Sequence, residues 1–177
     1  MSASLDGTID VSSIASTDAA FAAIRVDGSV VTWGFATYGG DSSSVSSDLN
    51  GSINVTSIAT TSRAFAALRT NGSVVIWGDS TMGGDSSGVS SQLDGSINVT
   101  SVAATEQAFA AIRSDGSIIT WGEALYGGDV GSFKKFSNGS FLYSGTSNFC
   151  SKDFTGRVFC WGSPGPLLDP QNVGRQF

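Results

Sequence analysis

The chain has 177 residues, of which 14% are charged, and its 15 acidic and 9 basic side chains leave a net charge of −6. It contains no histidine and two cysteines, which removes Ser–His and Cys–His nucleophile pairs, imidazole metal ligands and four-thiolate zinc sites. The acidic balance lacks the cations that neutralise phosphates, so duplex nucleic acid is not an expected partner. No stretch approaches the roughly 18 apolar residues of a membrane span, and Met1–Asp6 lacks the basic start and apolar core of a signal peptide, which leaves the compartment open. An apolar content of 40% supplies one core, and 23 Gly against 3 Pro favour turns between strands.

Trp-Gly recurs at Trp33-Gly34, Trp77-Gly78, Trp121-Gly122 and Trp161-Gly162, at spacings of 44, 44 and 40 residues. Phe21, Phe65, Phe109 and Phe149 keep the same clock, as do Gly28, Gly72, Gly116 and Gly156. Residues 9–52 set over 53–96 give 29 identities in 44 positions. The repeat domain, 1–162, therefore holds copies at 9–52, 53–96 and 97–140 and a divergent one at 141–162. Residues 163–177 carry all three prolines and read as an irregular tail.

Each unit reads as strands. In the first, Val11–Ala15 is one, Ala20–Arg25 a second, and Ser29–Trp33 returns after the turn Val26-Asp27-Gly28. Helix fails for the Ala-rich segment, because six residues between turn signals are too few and β-branched residues crowd its partner. From Gly39-Gly40-Asp41 to Val45-Ser46-Ser47 the pattern fits a loop, a fourth strand or one helical turn. Leu49–Val55 leads into the next unit. The third copy abandons this pattern over Asp129–Ser137, and the fourth begins near Phe141.

Register follows from the turn. A two-residue Asp-Gly turn puts Ala22 opposite Trp33, whereas a three-residue loop with Gly left-handed pairs Phe21 with Trp33. The second choice places Cys150 opposite Cys160 and joins aromatic pairs worth about 0.2–1 kcal/mol over Ala–Ala. It predicts Phe21/Trp33, Phe65/Trp77, Phe109/Trp121 and Phe149/Trp161 on one face of successive sheets. Phe21, Ala23, Val31 and Trp33 make one face apolar, and Ala22, Ile24 and Val30 the other, so each sheet must be covered on both sides. The expected fold is all-β, made of stacked propeller blades. A β-solenoid competes, but its coils take about 20–30 residues, so a 44-residue unit suits a blade better.

The block Ala-Phe-Ala-Ala-Ile-Arg-x-Asp-Gly-Ser-Val-x-Thr-Trp-Gly, followed by Gly39-Gly40, resembles the repeat of the regulator of chromosome condensation. Phe149-Cys150 through Phe159-Cys160-Trp161-Gly162 is similar to variants with Cys on both strands. The resemblance covers roughly residues 9–162. It implies a seven-bladed propeller used for protein recognition, in a family that includes a nucleotide-exchange factor and modules attached to ubiquitin ligases. The usual His before the second strand is absent, and Gly-Gly-Asp stands where Gly-Gln-Leu-Gly is common, so only fold-defining residues carry over. Seven blades need about 308 residues. The expectation is an open arc or a piece of a seven-bladed ring, whose end sheets expose apolar faces fit for self-association.

Candidate sites follow. Cys150 and Cys160 form a cross-strand disulfide in an oxidising compartment and two buried thiols otherwise. No His or adjacent Lys activates either one. Asp41, Asp85 and Asp129 recur after Gly-Gly, and each is read as bonding its own turn ahead of holding a cation. Arg25, Arg69 and Arg113 read as solvated strand ends, with a basic stripe as the competing view. Asn50, Asn54, Asn71, Asn98 and Asn138 open Asn-x-Ser/Thr triplets. Partner contact is sought where copies disagree, and the loops after Trp-Gly supply Phe35, Tyr38, Met82, Leu125 and Tyr126. The expected function is a non-catalytic protein-interaction scaffold without cofactor or metal. Guanine-nucleotide exchange on a small GTPase, or an accessory recognition module of a larger protein, is the alternative by family analogy.

Overall fold

Alternating β-branched and small residues around a tight turn make each unit an antiparallel hairpin with one more strand inside it. In the computed structural model the described residues are 8, 10–129, 140–153 and 155–163. Blade 1 is β1 (Val11–Ser16), β2 (Ala20–Arg25) and β3 (Val30–Gly34), and blade 2 is β4 (Val55–Thr60), β5 (Ala64–Arg69) and β6 (Val74–Gly78). Blade 3 is β7 (Val99–Ala104), β8 (Ala108–Arg113) and β9 (Ile118–Gly122), and blade 4 is β10 (Ser140–Ser144), β11 (Asn148–Asp153) and β12 (Val158–Gly162). Each is a three-stranded sheet in chain order.

The predicted register holds in all four. Phe21 pairs with Trp33, Phe65 with Trp77, Phe109 with Trp121 and Phe149 with Trp161. The rings of each pair stack at 5.1–5.5 Å between centroids. The segments between blades, left open by the sequence, contain 3₁₀ turns at Ser43–Asp48 and Ser87–Gln92, each followed by a buried leucine, Leu49 and Leu93. The departing stretch 130–137, the sequon at Asn138 and the tail from 164 lie outside the described residues.

Blades stack in one sense. Each has a leading face, with the Phe and Trp, and a trailing face, with the alanines. Ala20, Ala22 and Ile24 of blade 1 pack on Phe65, Ala67, Val75 and Trp77 of blade 2. Ala64, Ala66 and Val74 meet Phe109, Ala111, Ile119 and Trp121 in the same way. At the third seam Ala108, Ala110, Ile112 and Ile118 cover Phe149 and Trp161. Small side chains and large rings therefore share every seam, so each gap holds one flat aromatic layer and one thin alanine layer. Burying each ring contributes about 2–3 kcal/mol.

First strands line the inside of the arc. Their turns are joined by a backbone ladder: Asp18 N–H to Ser62 O at 3.0 Å, Ser62 N–H to Glu106 O at 2.9 Å, and Glu106 N–H to Thr146 O at 3.0 Å. The ladder does not close on itself among the described residues. Phe21 is 42% exposed where Phe65, Phe109 and Phe149 are fully buried, and Tyr143 and Val158 are exposed on the far side of blade 4. Among the described residues the fold is a partial propeller of four blades.

The strand-end arginines correct the sequence reading. Side chains of Arg25, Arg69 and Arg113 are only 18%, 13% and 14% exposed. Each Nε donates to a turn serine hydroxyl, Ser29, Ser73 or Ser117, at 2.6–2.8 Å. That serine in turn donates to Asp27, Asn71 or Asp115. The guanidinium is a latch across the hairpin rather than a solvated end. Blade 4 builds the latch with reversed polarity: Asp153 stands in the Arg position and Arg157 in the Ser position, joined at 2.7 Å, with Thr155 donating to the same carboxylate. The Thr155 hydroxyl, then Arg157, hold the Asp153 carboxyl far below the usual carboxylate range, against the opposing effect of burial. Cys150 and Cys160 sit opposite each other and form a disulfide.

Candidate protein-interaction surface

The loop after each Trp-Gly begins where glycine frees the backbone to leave the sheet. It makes a 3₁₀ turn at Ala36–Tyr38, Ser80–Met82 and Ala124–Tyr126. Its shape is fixed from two sides. Thr17, Thr61 and Thr105, on the inner turns, donate their hydroxyls to the carbonyls of Tyr38, Met82 and Tyr126 at 2.8–2.9 Å. From the other side Phe35, Asp79 and Glu123 donate their N–H to Ala19, Arg63 and Gln107 carbonyls. The backbone is common to three blades, and only the displayed side chains change.

The first position of the loop shows what changes. In blade 2 Asp79 accepts from the Thr81 amide at 2.9 Å and hydroxyl at 2.7 Å, which lower its pKa, with Arg63 adding to the effect. In blade 3 the Glu123 carboxylate reaches the Leu125 amide at 3.5 Å. Blade 1 has Phe35 there, which makes no cap, and its ring is 60% exposed. An exposed aromatic has thus replaced a capping acid, a change worth about 1 kcal/mol against the local turn. Leu125 is likewise 64% exposed, at the position of Thr37 and Thr81.

Phe35 and Tyr38 meet edge to face at 5.4 Å, and the Arg63 guanidinium of blade 2 lies 4.6 Å over the Tyr38 ring. Arg63 also approaches Asp79 at 3.6 Å. The sequence marks Arg63, with Ala19 and Gln107, as a position where the copies differ and partner contact is sought; its place over the Tyr38 ring is what the structure adds. Tyr38 and Tyr126 are half-buried and lean on the seams, and Met82 is half-buried as well. Phe35 and Leu125 are therefore the freely presented members of the five. Asp41 and Asp85 accept from the Ser43 and Ser87 amides at 2.9 and 2.8 Å, bonds that lower their pKa values. Nearer the axis, an open recess of about 490 Å³ is lined by Thr17, Thr61, Thr105 and Thr146 with Asp18 and Glu106. Among the described residues no cluster of His, Cys, Asp and Glu could hold a metal ion. Among the same residues no helix is long and apolar enough to cross a membrane.

No family model matches the chain, and no curated protein matches it. Solved structures do. The ectodomain of the receptor kinase CR4 of Physcomitrella patens superposes with a TM-score of 0.59 at 21% identity, over 92% of this chain and 44% of that one. Prp20p of Saccharomyces cerevisiae, described with its binding to Gsp1p and histones, gives 0.62 at 16% identity, over 85% and 44%. The computationally designed Ika4 protein gives 0.51 at 14% identity, over 89% and 93%. The chain spans less than half the length of the two natural proteins. At these identities the likeness is one of fold: the chain resembles the propellers of the regulator of chromosome condensation, which yeast Prp20 represents.

Proposed function

We propose that the chain is a non-catalytic protein-interaction scaffold that reads its partner with the loops following Trp-Gly, through Phe35 and Leu125 and the half-buried Tyr38, Met82 and Tyr126. The observation that carries this is the exposed ring of Phe35 in a position that is a capping acid elsewhere. Aromatic side chains on a rigid backbone beside an arginine are the composition of binding hot spots. Structural neighbours that bind proteins, Prp20 with Gsp1p, histones and Kap60, support the same class of role.

A photo-crosslinking residue placed at Phe35 or Leu125 tests the reading against one at Val26, which is equally exposed but sits on the hairpin turn at the other end of the sheet. Adducts with one protein from positions 35 and 125, and none from 26, are expected. Equal labelling from all three, or none, overturns it. Nucleotide exchange on a small GTPase is the second reading, favoured by the likeness to Prp20. It requires accelerated nucleotide release from at least one member of a GTPase panel.

A further inference from the structure

Among the described residues Asn-Gly-Ser occurs at Asn50-Gly51-Ser52 and at Asn71-Gly72-Ser73, and a third triplet, at Asn138, lies outside them. Before glycine an asparagine is open to attack by the backbone, because no Cβ hinders the approach of the next nitrogen. The glycine nitrogen gives up its proton and bonds to the Asn Cγ, and ammonia leaves. Water then opens the cyclic imide at either carbonyl, giving Asp or isoaspartate. The reaction consumes only water. It requires a glycine N–H that solvent can reach and that is free to turn towards the side chain.

The two side chains are set alike. Asn50 Oδ1 accepts from the Ser52 amide at 2.8 Å, and Asn71 Oδ1 from the Ser73 amide at 3.1 Å. This forward bond folds the side chain over the chain ahead and draws electrons from Cγ. The nitrogens differ. Gly72 donates its N–H to Arg69 O at 2.9 Å, and it is buried against Asn98 of the next blade. Asn71 Oδ1 is pinned again by the Ser73 hydroxyl at 2.7 Å, which Arg69 holds in turn. The Gly51 N–H has no hydrogen-bond partner among the described residues. Gly51 is half-buried, and Asn50 and Ser52 on either side are exposed. The amides after Asn54 and Asn98 are closed as at Asn71: Val55 and Val99 are β-branched and donate to Gly28 O and Gly72 O at 2.9 Å.

We propose that Asn50 is a site of spontaneous deamidation on the connector between blades 1 and 2, and that the hairpin latch protects the same triplet at Asn71. This is independent of the scaffold reading, which concerns the loops after Trp-Gly. The connector accommodates the acid product. The second copy carries Asp94 at this place, and its Oδ1 accepts the Ser96 amide at 2.8 Å as Asn50 accepts that of Ser52. The isoaspartate product is different, because it inserts a methylene into the main chain between the residue 50 Cα and the Gly51 nitrogen. The insertion lies beside Leu49, which fills the first seam and whose carbonyl takes the Val30 amide. Either product adds one negative charge to the rim, and the isoaspartyl carboxylate is a group that a protein carboxyl methyltransferase accepts.

The test incubates the intact chain at mildly alkaline pH, where the glycine nitrogen loses its proton more readily, and follows the peptides carrying each triplet by mass spectrometry. Conversion at Asn50 is expected to run at least about tenfold faster than at Asn71, which must wait for its turn to open. In denaturant the two rates converge to within about twofold, because the triplet is the same and the fold no longer separates them. An isoaspartyl methyltransferase supplied with labelled S-adenosylmethionine marks the peptide around residue 50 and leaves that around residue 71 unmarked. Ser73→Ala, which removes a hydroxyl from the latch, speeds conversion at Asn71 several-fold and leaves Asn50 unchanged; an unmoved Asn71 rate in the folded variant overturns the protective role of the latch. The comparison within the intact chain stands whether or not that variant folds. Equal rates in the folded chain, a faster Asn71, an Asn50 that stays intact while the denatured chain converts, or a gap that persists in denaturant each overturns the proposal.

Discussion

Blades 1 and 2 share 29 of 44 residues and the same strand register, yet Phe21 is 42% exposed and Phe65 is fully buried. The ring, its Trp partner and the backbone are the same, so burial here is a property of the stack and not of the repeat. Blade 4 teaches the converse. It is sandwiched on its leading face as blade 2 is, with Phe149 fully buried, but its hairpin is latched by Asp153 and Arg157 where blades 1–3 use Arg and Ser. One blade has consensus residues without cover, and the other has cover with substitute residues.

The largest test of this comparison truncates the two equivalent rings. Phe65→Ala is expected to lower unfolding stability by about 3–5 kcal/mol, and Phe21→Ala by less than about 2 kcal/mol, since much of that ring is already in water. Chemical denaturation of both variants measures the difference, and equal losses would show that blade 1 is covered in solution.

The turn glycines sharpen it at intermediate size. Gly72 and Gly156 hold the same left-handed position, at φ +77° and +88°. A Cβ at Gly72 would stand 2.5 Å from Asn98 Cβ of the next blade, whereas at Gly156 nothing lies within 4 Å. Gly156→Ala should cost only the backbone strain, about 1 kcal/mol. Gly72→Ala adds the clash, for about 2–4 kcal/mol in all. Thermal melts that rank the pair the other way would mean that Asn98 does not seat on the turn.

The subtlest effect is a difference in acid response between the latches. Because the folded Asp153 pKa is depressed, its stabilisation is fully present above the ordinary carboxylate value of about 4 and is lost as pH falls below it towards the folded value. Hydrogen exchange on β11 and β12 should therefore accelerate below about pH 4. Asp153→Asn should be less protected at neutral pH and flat across that acid range. Blade 2, whose turn acceptor is Asn71, is the internal control. Parallel acid profiles for the two blades would rule out the ionic latch.

Much of the architecture could be read directly, because a 44-residue period carries the same hairpin three times over. The Cys150–Cys160 coincidence chose between two turn lengths, and all four aromatic pairs followed. The arginine latch was missed although its signal was present: Arg, Asp or Asn, and Ser at i, i+2 and i+4 in three copies, inverted to Asp153, Thr155 and Arg157 in the fourth. The spacing from Trp to the second Gly likewise encoded the indole-to-carbonyl bond. It stayed hidden because donor and acceptor belong to different copies, Trp77 and Gly39 for example. The 3₁₀ turns were illegible for another reason: a Ser-rich stretch has no apolar period, and its form is set by the leucine that plugs the seam at its end.

Local chemistry alone determined the strands, the left-handed glycines at the turns and the face on which each ring lies, since these depend on neighbours within a few residues and on the two-residue alternation of a strand. Only the tertiary structure decided which of four equivalent rings are dry and which loop residues face solvent. Those properties depend on what a neighbouring blade supplies, and neighbouring blades meet through contacts 34 and 38 residues apart that no local pattern specifies.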